Sequence, residues 1–474
     1  MKKMQFRSDI SNAQGLYEEE RILLRELMDV YNFHYSKNRI KDNYYNGHVT
    51  LGDVNLGIAL PEGFRGLEIG CEWGAKAVDV LASRSMFDGF VGASGNESDA
   101  MRGICDSNDL LFEYGKACRD ELKYGCSFAT LSADSEIGVK IRFHSPMTSA
   151  ALWDGEKGRI KCGFAIIDTA PDEAKDSTWH PSLVNFYTDD AVVVLRAQNE
   201  RWFAERYPHK MGRPLMEPFV WNATNQKPFG RSRIKKPVRE LIKGYVRTVA
   251  NATIGLEFST APQKYLLGLT DEQYDVVVNQ KFKQYIGSLI ASTTNPETGE
   301  KPTFGQLPQG TITPHVNMIR LLATQFSAAT GLTVSDVGIV NDANPTSSEA
   351  IIAQSQTLVL MAEQLNAGNG DALHNIALMA QAIARNVRLE DLTEDERDVI
   401  AHFKNPAMPS VSSTADAAIK IASARQGFAN TDTFLEMIGF DQADIRRIKA
   451  QEQRVRGAQV LEELGIEGIA GASE

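Results

Sequence analysis

Two acidic side chains are the first residues of the sequence whose type and spacing could do chemistry. Asp336 and Asp342 lie in one short segment, and paired carboxylates can hold Mg²⁺ for a nuclease reaction. The segment is rich in glycine and asparagine, and no third carboxylate follows at an obvious spacing. We therefore interpret both side chains as solvated loop residues, with a metal-dependent nuclease as the alternative.

A glycine-rich segment, Leu67–Gly74, offers a second chemistry. It reads Leu-Glu-Ile-Gly-Cys-Glu-Trp-Gly and resembles the first motif of S-adenosylmethionine-dependent methyltransferases, where a strand ends in an acid-x-Gly-x-Gly-x-Gly turn. Here Glu72 replaces the middle glycine, so a Cβ and a negative charge stand where the cofactor needs a close approach. No alternating series of strands and helices follows. The simpler interpretation is a loop that leads into a helix at 73–81.

A strongly basic amphipathic segment runs from Arg231 to Arg247. Apolar residues recur in it at helical spacing, which predicts a helix. Its acidic residue is Glu240, and its basic residues are Arg231, Arg233, Lys235, Lys236, Arg239, Lys243 and Arg247. Such a helix can present a nucleic-acid-binding face or an ordinary solvated face, and both interpretations stay open at this point.

Motifs of common catalytic and cofactor sites are missing from the sequence. There is no G-x-x-x-x-G-K-S/T, no H-E-x-x-H and no G-x-S-x-G, and the eight histidines are scattered. We therefore predict no enzyme activity, no cofactor and no bound metal. The five cysteines include no C-x-x-C pair, which favours buried free thiols in a reducing cytoplasm over a disulfide framework.

Size and composition predict a soluble protein of several domains. At 474 residues the chain exceeds what one hydrophobic core usually organises, so we expect two to four domains. The net charge of −11 excludes an overall basic footprint, and any DNA contact must therefore be local. No apolar run is long enough to cross a membrane and no apolar stretch follows the N-terminal lysines, so we predict neither a membrane span nor a signal peptide.

Residues 1–225 read as an α+β region. Helical spacing of apolar residues predicts helices, and alternation of apolar and polar residues predicts strands. The predicted helices are 17–33, 73–81 and 107–122, and the predicted strands are 139–143, 159–167, 183–188 and 191–197. We expect Asp189 and Asp190 to form the turn between the last two strands.

After the basic helix, residues 259–313 carry short strand and helix signals. The next helix is bounded by strong signals: Thr313 as the N-cap, Pro314 at the first helical position and Gly331 at the end. The sequence therefore predicts a compact insertion between two amphipathic helices.

The segment 334–345 is too rich in aspartate, asparagine and glycine to be helical. Thr346–Glu349 then reads as a capping box that begins a long helix. Gly368–Gly370 should break or kink this helix, because glycine weakens a helix interior. From Val387 onward we predict a charge-rich helical region.

Three parts of the chain resemble the portal proteins of siphophages, a large family that includes the portal of the Bacillus phage SPP1. The first part is Gly212–Pro214 with Pro228–Val238, which resembles the passage from wing to stem. The second is Gly305–His315, which resembles the exit from the clip. The third is Gly331–Ile351, which resembles the tunnel loop and the start of the long wing helix. Weaker similarity covers Ala77–Phe90 and Lys404–Ala418.

This resemblance implies an α+β portal fold. Its parts are an α+β wing, a two-helix stem, a small α/β clip inserted between the stem helices, a long wing helix after a tunnel loop, and a helical C-terminal crown. The implied boundaries are 1–230 for the wing, 231–258 for stem helix 1, 259–313 for the clip, 314–331 for stem helix 2, 332–346 for the tunnel loop, 347–386 for the long wing helix (kinked near 368–370) and 387–474 for the crown.

The resemblance also implies a function. Portal proteins form a homo-oligomeric ring, usually of twelve subunits, that lines a channel for double-stranded DNA without sequence specificity during packaging and ejection. The expected partners are the terminase large subunit, the head-completion adaptor, and the major capsid and scaffold proteins, with no membrane involved. The expected location is the portal vertex of the capsid in the virion, after assembly in the host cytoplasm. Another head–tail structural protein is the alternative.

Two sets of site residues follow from the implied fold. The tunnel-loop residues are Asp336, Val337, Asn341, Asp342 and Asn344. The candidates for the lining of the DNA channel are Arg320, Lys243 and Arg247. Such a channel must hold DNA without a tight grip, because each neutralised phosphate adds affinity.

Overall fold

The computed structural model describes residues 3–49, 69–92, 98–171, 178–198, 201–260, 264–269, 289–293, 303–306, 311–338, 348–407, 411–425, 427–440 and 442–463. The chain divides into two compact units, Met1–Pro406 and Ala407–Glu474. Helices and sheets are mixed, so the predicted α+β class is confirmed. No helix among these residues is long and apolar enough to cross a membrane.

Eight helices are described in the first unit. The earlier ones are α1 (Glu18–Tyr45), α2 (Trp73–Ala82), α3 (Asp99–Ser107) and α4 (Leu110–Tyr124). The later ones are α5 (Lys236–Thr260), α6 (Thr313–Thr330), α7 (Ser348–Arg385) and the short α8 (Glu394–Arg397). The helix predicted at 73–81 is therefore confirmed as α2, and the basic segment is helical from Lys236.

Helix α1 begins where predicted but continues well past residue 33. The apolar stripe stops there because two of the buried positions of the second half are polar: Asn38 is 3% exposed and Asp42 is 5% exposed. Asp42 Oδ1 accepts hydrogen bonds from Lys123 Nζ at 2.6 Å and from Tyr124 Oη at 3.1 Å. Polar packing against α4 thus stabilises a part of α1 that has no apolar pattern.

The helix predicted at 107–122 is wrong at its start. Ser107 ends α3, Asp109 has a φ of 47°, and α4 begins at Leu110. A residue in the left-handed region cannot continue a right-handed helix, so the chain turns between α3 and α4. Helix α3 escaped prediction because its buried apolar side chains, Met101 and Cys105, are too few to form a periodic stripe.

The strands of the α+β region form two sheets, and β2 belongs to neither of them. Their bounds are β1 (Lys3–Met4), β2 (Phe87–Val91), β3 (Cys126–Asp134), β4 (Gly138–His144), β5 (Ser149–Asp154), β6 (Arg159–Pro171), β7 (Thr178–Tyr187), β8 (Ala191–Gln198), β9 (Arg201–Pro208) and β10 (Met216–Val220). The larger sheet has the order β5-β6-β7-β8-β9, with β1 paired to β7. The smaller sheet has the order β10-β3-β4. The four predicted strands are confirmed, and Asp189 and Asp190 form the predicted turn between β7 and β8.

Two hydrophobic cores hold the first unit together. The smaller core lies between α1 and the larger sheet, where Tyr31, Phe164 and Phe186 are buried. The larger core joins α2 and α4 to the smaller sheet and extends to α5, α6 and α7. The amphipathic helices of the second half are therefore packed onto the α+β region.

Three short strands are described between α5 and α6: β11 (Lys264–Leu269), β12 (Leu289–Thr293) and β13 (Thr303–Gln306). β11 pairs in parallel with β12 and antiparallel with β13. Parallel pairing requires a crossover connection. That connection, 270–288, lies outside the described residues, and so does any helix of the predicted α/β insertion.

Helix α6 starts one residue earlier than predicted: Thr313 is its first residue and Ile312 is the N-cap. It ends at Gly331, as predicted, where a φ of 72° forms a left-handed C-cap. Helix α7 runs without interruption through Gly368–Gly370, so the helix does not break there, and the kink stays a prediction. Thr346 and Ser347 of the predicted capping box lie outside the described residues.

The C-terminal part is not helical throughout, contrary to prediction. β14 (Ile400–Phe403) pairs antiparallel with β2, and Val399 beside it is 1% exposed in the larger core. Ile400 and Phe403 favour extended structure once the edge of β2 is available. Residues 387–406 therefore belong to the first compact unit, whose end at Pro406 differs from the predicted boundary at 387.

The second unit is helical, as predicted. Its described helices are α9 (Val411–Ala424), α10 (Asp432–Ile438) and α11 (Gln442–Glu463). The Thr431 side chain accepts a hydrogen bond from Phe434 N at 3.3 Å and caps α10. Lys449 Nζ of α11 lies 2.5 Å from Asp432 Oδ1, which ties α11 to the start of α10.

Candidate DNA-channel site

The two helices that flank the insertion pack directly on each other. Val238, Ile242 and Val246 form the buried stripe of α5, and Leu322 and Phe326 belong to the stripe of α6. Gly244 permits a close approach of the helices, because a Cβ at this position would lie 3.1 Å from Leu322 Cδ2. The pair is thus one packed element, in which each helix buries its apolar stripe.

Trp73 joins this pair to the α+β region. Its ring centroid lies 4.5 Å from that of Tyr245 on α5 and 5.0 Å from that of Phe326 on α6. At the adjacent Gly74, a Cβ would lie 2.0 Å from the carbonyl oxygen of Tyr44. The glycine of the Leu67–Gly74 segment therefore serves helix packing in the described part, which supports the simpler interpretation of that segment.

A buried arginine holds the joint where α5 begins. Arg233 is 7% exposed, and its guanidinium donates to the carbonyl oxygen of Ala77 on α2 and to that of Thr330 on α6, the latter at 2.6 Å. Met361 Sδ of α7 lies 3.6 Å from its Nη1. Burial lowers the pKa of Arg233 to about 10, and the group still carries its charge at neutral pH. One side chain thus connects three helices.

Sequence reasoning grouped Arg233 with the other basic residues of the amphipathic segment and missed this role. Charge alone cannot separate it from the exposed Arg231, two positions earlier. The sequence signal that could have indicated this role is the position of Arg233 just before the start of the helix. It lies in the part of the segment that resembles the passage from wing to stem.

Arg320 lies on the exposed face of α6. It is the one residue among Lys, Arg, Asp and Glu in this helix. The same helix leaves three apolar side chains open: Val316 is 40% exposed, Met318 43% and Leu321 52%. An isolated chain cannot bury these side chains, whereas neighbouring copies packed side by side could.

Lys243 and Arg247 lie one turn apart on α5. Arg247 is exposed, whereas Lys243 is half-buried and its Nζ lies 3.4 Å from Glu240 Oε1. Tyr44 of α1 and then Glu240 raise the pKa of Lys243. The three candidates for the channel lining therefore differ: Arg320 and Arg247 are open to solvent, and Lys243 is held towards α1. Their position relative to a channel stays a prediction.

The start of the predicted tunnel loop is a tight turn. Asp336 Oδ2 accepts from Thr333 N at 2.9 Å and from Thr333 Oγ1 at 2.8 Å, and Asp336 N donates back to Thr333 Oγ1 at 3.2 Å. Val337 is 8% exposed and packs in the larger core with Leu332. Asp336 and Val337 thus anchor the turn. The other predicted tunnel-loop residues, Asn341, Asp342 and Asn344, lie outside the described residues.

No group of three or more His, Cys, Asp or Glu side chains in the described residues could hold a metal ion. The carboxylate of Asp336 is engaged with Thr333, and its possible partner Asp342 is not described. All five cysteines are free thiols, and burial raises the pKa of Cys71 to about 11 and that of Cys126 to about 12. The prediction of free thiols is therefore confirmed.

The family comparison decides between the candidate interpretations. A family model described as phage portal protein, SPP1 Gp6-like, matches residues 15–458. This chain belongs to that portal family. The resemblance stated from the sequence is thereby confirmed, and the function of a portal, the ring at a capsid vertex, comes with the family. No curated protein matches this portal chain.

Several solved structures are similar to the portal chain at low identity. The neck of a native GTA particle computed with C12 symmetry has a TM-score of 0.43 and 9% identity, covering 78% of this chain and 89% of that chain. The virion of a native gene transfer agent (GTA) particle has a TM-score of 0.41 and 10% identity, with the same coverage of 78% and 89%. The neck of an empty GTA particle computed with C6 symmetry has a TM-score of 0.43 and 9% identity, covering 77% and 89%.

Proposed function

We propose that the chain is one subunit of a portal ring that forms the channel for double-stranded DNA at one vertex of a phage capsid. The observation that carries this proposal is the family match over residues 15–458. The exposed apolar side chains of α6 support it, since a ring supplies neighbours that can bury them. The mechanism is physical: the ring guides the duplex during packaging and ejection, and no catalysis by this chain is proposed.

The described elements support an assignment of the portal parts. We assign the α+β region 1–230 to the wing, α5 and α6 to the stem, β11–β13 to the clip, and α7 to the long wing helix. The crown is then the helical unit after Pro406. Twelve subunits would repeat each stem pair around the channel, with the tunnel loop of 332–346 at its inner end.

The partners follow from the same assignment. The clip would dock the terminase large subunit during packaging and the head-completion adaptor afterwards, and the wing would meet the major capsid and scaffold proteins. Assembly would take place in the host cytoplasm before the ring enters the virion. These contacts are proposals, because the family match concerns this chain alone.

Electron microscopy of the purified protein, with its mass measured by light scattering, tests the proposed function. We expect rings with a central hole and a mass of about twelve chains. A lysate that contains every other protein of the phage but lacks this one should contain no DNA-filled heads. Supplying the protein should restore them. Filled heads without the protein would overturn the proposal, even if the purified chain formed rings.

Charge reversal at Arg320 tests the channel assignment. Arg320→Glu should leave ring formation intact, since an exposed side chain that faces the channel makes no contact with a neighbouring subunit. It should reduce packaged DNA several-fold, since it places a ring of negative charge beside the phosphates. Nuclease-protected DNA per head measures the effect, and Lys161→Glu, an exposed wing cation on β6, is the matched control. Equal loss in both variants would remove Arg320 from the channel lining.

A further inference from the structure

The wing contains a cavity that the portal function does not use. Its volume is about 640 Å³, and it opens between α1, β3, β5 and the segment 227–232 that precedes the stem. This size lies within the range of sites that bind small molecules or peptide side chains. Every residue that lines it belongs to the described part of the first unit.

The charged side chains that line this cavity are all basic. Its ionisable side chains, a cysteine and two buried tyrosines aside, are His34, Lys37, Lys41, Lys227, Arg231 and Arg239, and no aspartate or glutamate lines it. Burial, together with Lys37 and Lys41, lowers the pKa of His34, so the cations are the three lysines and the two arginines. They run against the net charge of −11 that the whole chain carries. Like charges this close together repel one another, and an anionic partner would reduce that repulsion.

Lys41 is the most enclosed of the six. Its Nζ donates to Asn38 Oδ1 at 3.0 Å and to the carbonyl oxygen of Tyr124 at 2.7 Å. An ammonium group has three donors, so one N–H is left for a ligand. The neighbouring Asp42 is already paired with Lys123 at 2.6 Å, and burial lowers the pKa of Lys41 to about 8. The Lys41 ammonium group thus has no carboxylate partner among the described residues.

The floor of the cavity is apolar and partly aromatic. Tyr31 and Phe128 are each 3% exposed, and Phe229 stacks edge-on against Phe128 with ring centroids 5.8 Å apart. At the rim, Ile40 is 45% exposed. A ligand that fits must therefore bring apolar side chains as well as negative charge.

We propose that this cavity is a docking site for an acidic peptide segment of a partner protein, in which carboxylates meet the basic rim and an aliphatic or aromatic side chain enters the floor. Charge complementarity selects the acidic residues, and the apolar floor selects a peptide over DNA. A duplex is too wide for a cavity of about 640 Å³ and could only touch the rim. The proposal goes beyond the channel function, since it concerns the outer domain of the subunit.

Binding of a fluorescein-labelled peptide to the full-length protein tests this site. The probe alternates Glu and Asp with Leu and Phe, and fluorescence anisotropy reports its dissociation constant. We expect saturable binding that weakens about tenfold in Lys37→Glu and again in Arg231→Glu, because each reversal adds a repulsive charge. Arg39→Glu is the matched control on α1: it is exposed, makes the same charge change and does not line the cavity.

A second pair of variants tests the apolar half of the site. Ile40→Asn should weaken the acidic peptide several-fold, whereas Ile22→Asn, on the same helix and 49% exposed, should not. A peptide with Gln and Asn in place of the acids should not bind. Absence of binding to the unmodified protein, equal binding by all variants, or displacement by a short DNA duplex with no effect of Ile40→Asn would each overturn the proposal.

Discussion

Replacement of Arg233 by alanine is expected to lower the free energy of unfolding by about 3 kcal/mol and to prevent stable ring formation. The guanidinium donates to Ala77 of α2 and Thr330 of α6 and contacts Met361 of α7. Its loss leaves a cavity and an unpartnered carbonyl oxygen at the end of α6. Both effects fall on the joint between the α+β region and the pair formed by α5 and α6.

The geometry of the side chain matters more than its charge. Arg233→Lys keeps the charge but cannot reach the carbonyl oxygens of Ala77 and Thr330 together, because lysine has no planar fork. We expect it to lose about half as much stability as the alanine variant. Removal of a buried charge offsets part of the stability that Arg233→Ala loses. The expected loss for the alanine variant is therefore about 3 kcal/mol and not larger.

Arg231→Ala is the matched control for Arg233→Ala. Arg231 stands two positions away and is exposed, so its replacement should change the free energy of unfolding by less than about 0.5 kcal/mol. Urea denaturation followed by circular dichroism measures both variants. Equal midpoints for Arg231→Ala and Arg233→Ala would contradict the proposed role of Arg233 in the joint.

Local patterns in the sequence predicted the elements whose burial is apolar. β4 alternates apolar and polar residues, β6, β7 and β8 contain short apolar stretches, and α6 ends at a glycine in the left-handed conformation, so each was predictable. The order of the second half was also predictable, because two amphipathic helices enclose a segment with turn signals. The resemblance to portal proteins then supplied the assignment that patterns could not give.

Elements stabilised by buried polar contacts could not be predicted in this way. The second half of α1 depends on Asp42 binding to α4, and α7 passes through Gly368–Gly370 because Asn369 between them is anchored. Neither contact leaves a periodic signal in its own helix. The strand β14 depends on the edge of β2, more than three hundred residues away in the chain. The cavity likewise unites residues from separate segments of the chain, spread between Val30 and Arg239.

The anchor of Asn369 is a buried polar cluster between α4 and α7. Asn369 Nδ2 donates to Tyr114 Oη at 2.8 Å and to Glu121 Oε2 at 2.9 Å, and Ser85 Oγ lies 2.7 Å from Tyr114 Oη. Glu121 is 0% exposed, and its Oε1 has no hydrogen-bond partner among the described residues. The cluster joins α4 to α7 at the position where glycines would otherwise weaken the longer helix.

Glu121 should make the stability of the first unit depend on pH. Burial raises the pKa of its carboxyl group from 4.5 to about 8, against the smaller opposing effect of the hydrogen bond from Asn369. Between these values the folded chain holds a proton that the unfolded chain releases, so stability falls as pH rises. The contribution is complete below pH 4.5 and lost above about pH 8.

Glu121→Gln is therefore expected to flatten this dependence, because glutamine imitates the protonated carboxyl. At pH 9 the variant should be more stable than the unmodified protein by several kcal/mol, on the order of 4, whereas at pH 5 the two should differ little. Thermal unfolding midpoints at both pH values measure the difference.

Glu113→Gln on the same helix separates burial from simple loss of charge. Glu113 pairs with Lys116 at the surface, where such pairs contribute little, so its replacement should shift the midpoint equally at both pH values. If Glu121→Gln also shifted the midpoint equally at pH 5 and pH 9, Glu121 would be ionised in the folded chain across that range. Asn369 would then donate its hydrogen bond to a buried Glu121 carboxylate. The glutamine variant would lose rather than gain stability at high pH, because its amide group would replace an acceptor that the cluster needs.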